Sequence, residues 1–322
     1  MGGDHAPGAN LEGALLAVER GMAAERIVLV GREDELRSGL EALGGDPGFD
    51  LIHADEVIAM DEKPGVALRS KPTSSIAVAT GAVKQGLAGA HVSMGNTGAV
   101  VGAATVGLKT LEGVRRPGIA VTARLTGKPV TFLDMGANVV PKAEHLVQYG
   151  HMGAVLMRDV VGSDRCRVAL LNIGEESTKG TDLLREAHEA LSQSSLDFVG
   201  NIESNEIFSE SAEVVVTDGF TGNVVLKLME GFSGFLLRLV GAEMAAHGAD
   251  WAPSALGSVR KKVDYSEYGG ALLLGVRGVV VIGHGRSDAN AVANALGLAG
   301  RALDAEVNEK IVQGLSAGTA PA

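Results

Sequence analysis

The chain has 322 residues, 46% of them hydrophobic, and its 28 basic and 39 acidic groups leave a formal charge of −11; it can bury a large core, and its negative balance disfavours nonspecific binding to nucleic acid. One Trp, three Tyr and seven Phe offer few stacking platforms for bases, and a lone cysteine, Cys166, excludes an internal disulfide framework and a cysteine-built metal site. No apolar run approaches the roughly 20 residues of a membrane span and no signal peptide opens the chain, so a cytoplasmic protein is expected.

In chain order, hydrophobic periodicity predicts a helix over 10–21, a strand over 26–31, a helix over 75–86 and a strand over 91–94. Strands at 118–122 and 130–134 follow, then a helix at 142–161, a strand at 167–173 and a helix at 181–191. Strands at 198–202 and 213–218, a long helix at 223–246, a strand at 278–283 and a helix at 287–303 complete the pattern. Short β-branched runs that alternate with helical stretches point to a parallel α/β fold. We read residues 1–313 as one catalytic domain with a helical excursion around 223–270, and the polar, Ala/Gly-rich residues 314–322 as a disordered tail.

In an open parallel sheet, ligands gather beyond the carboxyl ends of the strands, where loops lead into helix N-termini. Those loops read Met94-Gly95-Asn96-Thr97-Gly98, Asp134-Met135-Gly136-Ala137-Asn138, Asn172-Ile173-Gly174-Glu175-Glu176, Gly200-Asn201-Ile202, Asp218-Gly219-Phe220-Thr221-Gly222-Asn223 and His284-Gly285-Arg286-Ser287-Asp288. Any one of them is an ordinary tight turn, because Gly and Asn tolerate positive φ and Ser, Thr or Asp cap helices. Several together suggest a polar cleft.

Individual residues divide between chemical and structural readings. Asp4 and His5 place an acid beside an imidazole ahead of a helix, suited to anion binding or to proton handling, with a capped helix entry as the bland alternative. Arg69, Lys71, Ser74 and Ser75 bring cations, hydroxyls and a helix start together as an anion cradle, against a solvated basic turn. Asn96, Thr97 and Asn223 can orient a carbonyl or a phosphate oxygen. Lys179 ranks first among the catalytic cations, against a surface partner for Glu175 or Glu176. Asp134 and Asp218 end strands, where capping is the commoner role. Neither the Walker pattern nor the dinucleotide fingerprint is present, which weakens the case for ATP and NAD. The apolar stretch 229–240 reads as a core or dimer helix, since a membrane-surface helix needs a more basic polar face.

Taken together, Met1-Gly2-Gly3-Asp4-His5-Ala6-Pro7, Gly95-Asn96-Thr97-Gly98-Ala99, Asp134–Asn138, Leu171–Glu176, Asp218–Lys227 and Gly283-His284-Gly285 with Ser287-Asp288-Ala289 resemble the PlsX family of acyl-carrier-protein:phosphate acyltransferases. The resemblance implies a three-layer α/β/α fold with a mostly parallel sheet, similar to phosphate acetyltransferases and isocitrate-type dehydrogenases. It also implies a homodimer without organic cofactor or metal, acting in fatty acid and phospholipid synthesis. Inorganic phosphate and acyl-carrier protein are the implied substrates, a glycerol-3-phosphate acyltransferase and peripheral contact with the inner membrane face the implied associations, and nucleic acid is no partner. For direct attack of phosphate on a thioester, Lys179, Asn223 and His284 are the expected catalytic groups. Asp4, His5, Arg69, Lys71, Ser74, Ser75, Asn96, Thr97, Asp134, Asn138, Glu175, Asn201, Asp218, Thr221 and Ser287 are expected to bind phosphate or the thioester. Two departures stand out. Similar proteins carry a short apolar strand before the Met-Gly-Gly-Asp-His motif, so a first strand is expected to be missing here, and Pro72 interrupts a run that is usually more basic.

Overall fold

A computed structural model describes residues 1–124, 127–249, 251–263 and 269–318. The first stretch contains α1 (Gly8–Glu19), β1 (Val28–Gly31), α2 (Glu33–Ala42), β2 (Asp50–His53), α3 (Pro64–Ser70), α4 (Ser75–Lys84), β3 (Ala90–Ser93) and α5 (Thr97–Gly107). It continues with β4 (Gly118–Arg124), β5 (Pro129–Leu133), α6 (Ala143–Val155), β6 (Val168–Leu171), α7 (Asp182–Ser192), β7 (Phe198–Ile202), β8 (Val214–Val216), α8 (Gly219–Ala246) and α9 (Ala252–Val263). The chain closes with β9 (Ala271–Leu274), β10 (Val279–Ile282), α10 (Ala289–Asp304) and α11 (Val307–Gly318). Two compact units result, one from residues 1–117 with 268–317 and one built on 118–267.

In the first unit β1 pairs in parallel with β2, while β10 lies between β3, in parallel, and β9, antiparallel. The sequences Ala-Leu-Leu-Leu of β9 and Val-Val-Val-Ile of β10 are buried throughout, as strands covered on both faces require. Leu11, Ala14, Leu36, Leu40, Ile27 and Phe49 form a core where α1 and α2 meet the start of β1. Burying each large side chain of this kind contributes about 1.5–3 kcal/mol.

The second unit orders its strands β4-β5-β8-β6-β7. β4 and β5 pair antiparallel and the remaining neighbours run parallel. Tyr149, Leu146 and Met152 of α6, with Phe132 of β5, are among the largest fully buried side chains. Helix starts follow capping chemistry in both units. Asn96, Thr181, Asp218 and Asp288 each accept a backbone N–H from the first turn of α5, α7, α8 and α10.

Three expected elements change. The long helix begins at Gly219, because Asp218 caps it, rather than at Asn223. The helix expected over 142–161 is α-helical only to Val155 and closes with a π-helical turn, Leu156–Val161, that ends on Gly162 at φ 78°. Residues 314–318 belong to α11, whose Ile311 and Leu315 are buried, so they are not part of a disordered tail. Residues 319–322 lie outside the described residues.

Candidate active site

The loops singled out in the sequence divide between the two units. In the first unit, Asn96 is buried at the mouth of α5. Its Oδ1 accepts the Ala99 N–H at 3.0 Å, and its Nδ2 donates to the carbonyls of Ala59, Met60 and Glu62 at 3.1, 3.2 and 3.0 Å. With that, the side chain ties the 59–62 loop to α5, and the exposed group at this helix start is Thr97. Two further loops come close. A Cβ on Gly2 would stand 2.7 Å from the Gly95 Cα, and the Asp4 N–H donates to the Gly285 carbonyl at 2.7 Å. Asp4 and His5 are exposed, and His284 is half-buried, its Nδ1 accepting the Arg286 N–H at 3.3 Å. Ser287 is buried, with an Oγ that has no hydrogen-bond partner.

The cradle expected from Arg69 to Ser75 is not assembled as an open anion site. The Lys71 ammonium is committed to Glu62, at 2.6 Å, and to the Val57 carbonyl, at 2.9 Å. That hydrogen bond from Lys71 holds the Glu62 carboxyl below the usual carboxylate range. Ser74 and Ser75 are buried, and their N–H groups already donate to the Lys71 and Glu56 carbonyls. Pro72 and the spacing of the cations direct this segment into a packed turn, and Arg69 is the cation left exposed.

In the second unit Asp134, fully buried, organises the turn after β5. Its Oδ1 accepts N–H groups of Ile119, Gly136 and Ala137 at 3.0, 3.1 and 2.9 Å, and its Oδ2 accepts that of Asn138 at 2.7 Å. Burial lifts the carboxyl above its ordinary range, and these amides oppose the lift. Asp134 therefore holds a loop in place, which leaves it no free oxygen edge for a ligand, contrary to the binding role expected for it. Asn138 is bound to the same carboxylate and donates to the Tyr149 hydroxyl at 2.8 Å.

The first turn of α8 is pressed onto this knot. The Gly219 N–H donates to the Asn138 carbonyl at 2.9 Å, and a Cβ at Gly222 would stand 2.0 Å from the Asp134 carbonyl oxygen, so only glycine fits. Asp218 caps the helix through the Thr221 N–H and hydroxyl, at 2.9 and 2.7 Å. Both are used inside the turn. Asn223 emerges exposed one turn into the helix, its side chain over Gly136, which itself needs the freedom of glycine at φ 130°. An uncharged amide thus stands at the positive end of a 28-residue helix.

A separate loop of this unit carries Lys179. Buried Asn172 donates to the Lys179 carbonyl at 3.2 Å, and buried Asn201 donates to the Glu176 carbonyl at 2.9 Å while its Oδ1 meets His188 Nδ1 at 3.0 Å. Asn201 therefore braces the loop from below. Glu175 and Lys179 face solvent, and the Lys179 ammonium stands 3.8 Å from Glu176 with the two side chains 49% and 65% exposed.

Gly136, Gly219 and Gly222 escaped the sequence reading as functional positions. Their signal was present in the Gly-x-x-Gly spacing after Asp218, which lets a helix start lie against another backbone. Among the described residues, no group of His, Cys, Asp and Glu is arranged to hold a metal ion.

The model of the fatty acid synthesis protein family matches residues 1–310. The chain belongs to that family. Phosphate acyltransferase of Heliobacterium modesticaldum is 46% identical over 306 residues, covering 93% of this chain and 91% of that protein. Phosphate acyltransferase of Dictyoglomus turgidum is 41% identical over 325 residues, 98% and 96% of the two chains. Among solved structures, a phosphotransacetylase from Streptococcus pyogenes superposes with a TM-score of 0.60 at 20% identity, covering 91% of each chain. The EutD phosphotransacetylase from Staphylococcus aureus gives 0.59 at 16%, over 90% of this chain and 92% of its own. The family member is thus an acyltransferase with a phosphotransacetylase-like α/β fold.

Proposed function

We propose that the chain transfers the acyl group of an acyl-carrier-protein thioester to inorganic phosphate. A phosphate oxygen attacks the thioester carbonyl, the carbon–sulfur bond breaks, and acyl phosphate leaves with the free thiol of the carrier. Phosphate is already anionic and a thiolate is a good leaving group, so positioning and oxyanion stabilisation supply the acceleration and no protein nucleophile is required. The observation that carries this reading is the exposed Asn223 amide above Gly136 at the N-terminal end of α8, where both the amide and the helix favour a developing negative charge.

Asn223 and Lys179 are the proposed stabilisers of that charge in the second unit, and the exposed Glu175 of the Lys179 loop is a proposed substrate contact. In the first unit His5, Thr97 and His284 are proposed substrate contacts, each to be tested on its own. Incubation with palmitoyl-carrier protein and phosphate, followed by hydroxylamine trapping, should yield acyl hydroxamate. Asn223→Ala and Lys179→Ala should each lower its rate by more than tenfold, about 1.4 kcal/mol of barrier. Rates within about threefold of the parent for both would sink the assignment. A parallel assay with acetyl-CoA separates this reading from a short-chain phosphotransacetylase.

The chain is further proposed to work in the cytoplasm as a homodimer. Phe232, Phe235, Leu236, Leu239 and Val240 of α8 are exposed, more apolar surface than an isolated helix face usually shows to water. Light scattering should give twice the mass of one chain, and Leu239→Glu should halve it. Association with a glycerol-3-phosphate acyltransferase or with anionic membrane is a proposal of the same kind, tested by co-sedimentation with vesicles that do or do not contain that enzyme.

A further inference from the structure

Residues 175–179 are all exposed, the setting in which a loop is ordinarily mobile. The backbone of Lys179 is nevertheless held on both sides. Its N–H donates to the Glu176 carbonyl at 3.0 Å, and its carbonyl accepts the Asn172 side-chain amide at 3.2 Å. The Glu176 carbonyl accepts a second donor, the Asn201 side-chain amide, at 2.9 Å. Asn172 and Asn201 are only 7% and 6% exposed and sit at the ends of β6 and β7, which pair in parallel. Two amides fixed by the sheet thus grip the turn on either side of Lys179. The ion pair with Glu176, 3.8 Å long and in water, is too weak to do this.

A backbone carbonyl only accepts, so each asparagine must turn its NH₂ to the loop and keep its oxygen for another donor. Asn172 Oδ1 takes the Ile173 N–H at 2.8 Å. Asn201 Oδ1 meets His188 Nδ1 at 3.0 Å, so Nδ1 carries the hydrogen, and the His188 ring is set against Phe198 with centroids 5.2 Å apart at 75°. The fit leaves no slack. A Cβ at Gly180 would stand 2.4 Å from Asn172 Oδ1, and one at Gly174 would stand 3.0 Å from Lys179 Cγ, so the lysine stem lies directly over that glycine.

We infer that Asn172 and Asn201, the latter oriented by His188, are positioning residues that aim the Lys179 ammonium, an inference that rests on the reading of Lys179 as a stabiliser of the developing charge. None of the three touches substrate. Their effect passes through Lys179 and falls on the chemical step, since a small misplacement of a charged group costs rate more than binding.

The test is a double-mutant cycle in the full chain, read by hydroxylamine trapping with palmitoyl-carrier protein and phosphate. Asn201→Leu and Asn172→Leu should each lower kcat by at least about fivefold while KM stays within about twofold. His188→Phe, which keeps a ring against Phe198 and removes the donor, should lower kcat by about threefold and carries the cycle if an asparagine variant does not fold. Added to Lys179→Ala, each change should slow the reaction by less than about twofold further. If Lys179→Ala slows the enzyme but the changes multiply its loss in full, or if folded variants keep the parent kcat, the positioning role is overturned and Lys179 stands. If Lys179→Ala itself leaves the rate within about threefold of the parent, the charge-stabilising reading falls and this inference with it.

Discussion

Asn96 and Asp134 perform the same task with opposite chemistry. Each is buried at a strand end and gathers a loop against a helix start. Asn96 gathers carbonyls, so it needs an N–H₂ donor and keeps its oxygen for one amide. Asp134 gathers amides, so it needs acceptors on both sides. The difference teaches that the type of a buried polar residue follows from which backbone face the loop turns inward. Neither residue can replace the other.

The most damaging change should be Asp134→Ala, which strands the N–H groups of residues 136–138 and of Ile119, for a loss of about 3–5 kcal/mol in urea unfolding. A loss under about 1 kcal/mol would show that water replaces the carboxylate and that the knot is not organised by it.

Next in size is an acid limb that belongs to the first unit and not to its Asn96 loop. His91 is buried against the Thr80 hydroxyl at 3.2 Å, and burial first, then the N-terminal amine, push its imidazole down to about 4. An unfolded histidine titrates near 6.5, so between these values the unfolded chain binds more protons. The stabilisation is complete above about pH 6.5 and fades as pH falls toward 4, by about 3 kcal/mol at most. His91→Gln should flatten that slope in urea midpoints measured from pH 4 to 7, and an undiminished slope would place the titrating group elsewhere.

Asn96→Asp should cost about 2 kcal/mol or more, because a carboxylate would face three carbonyls, whereas the same exchange on a solvated turn would cost little. If the unfolding midpoint is unchanged, the donor argument for Asn96 fails. The smallest effect is expected outside both knots. Glu176→Gln removes the exposed partner of Lys179 and should shift stability by less than about 0.5 kcal/mol.

Much of this architecture was visible in the residues. The buried runs of β8 and β10 are so uniformly β-branched that strand was the natural reading, whereas the caps Asp218 and Asp288 did not fix the helix starts, which were expected at 223 and 287. The ordered glycine loops gave the family. What stayed hidden were elements with weak local signals. β2, Asp-Leu-Ile-His, is short and only half-buried, and α3 starts on Pro64 in a segment with a single buried residue. At the site, the sequence located the polar loops but not the use of each side chain. Spacing says that Asp134, Asn138 and Asn223 lie near helix starts. Only the folded backbone shows that Asp134 is consumed by amides while Asn223 faces solvent. Lys71 illustrates the same limit, since its partner Glu62 lies on a preceding loop that no periodicity links to it.

The glycine seat beneath α8 has a mechanical side. With 28 residues, this helix is roughly 42 Å long. A tilt of about 5° where Gly219 and Gly222 touch the Asp134 turn would carry its far end through nearly 4 Å by that same geometry. A single methyl group added at the root would therefore be felt most by whatever grips the tip, and the aim of the whole rod depends on two residues that have no side chain.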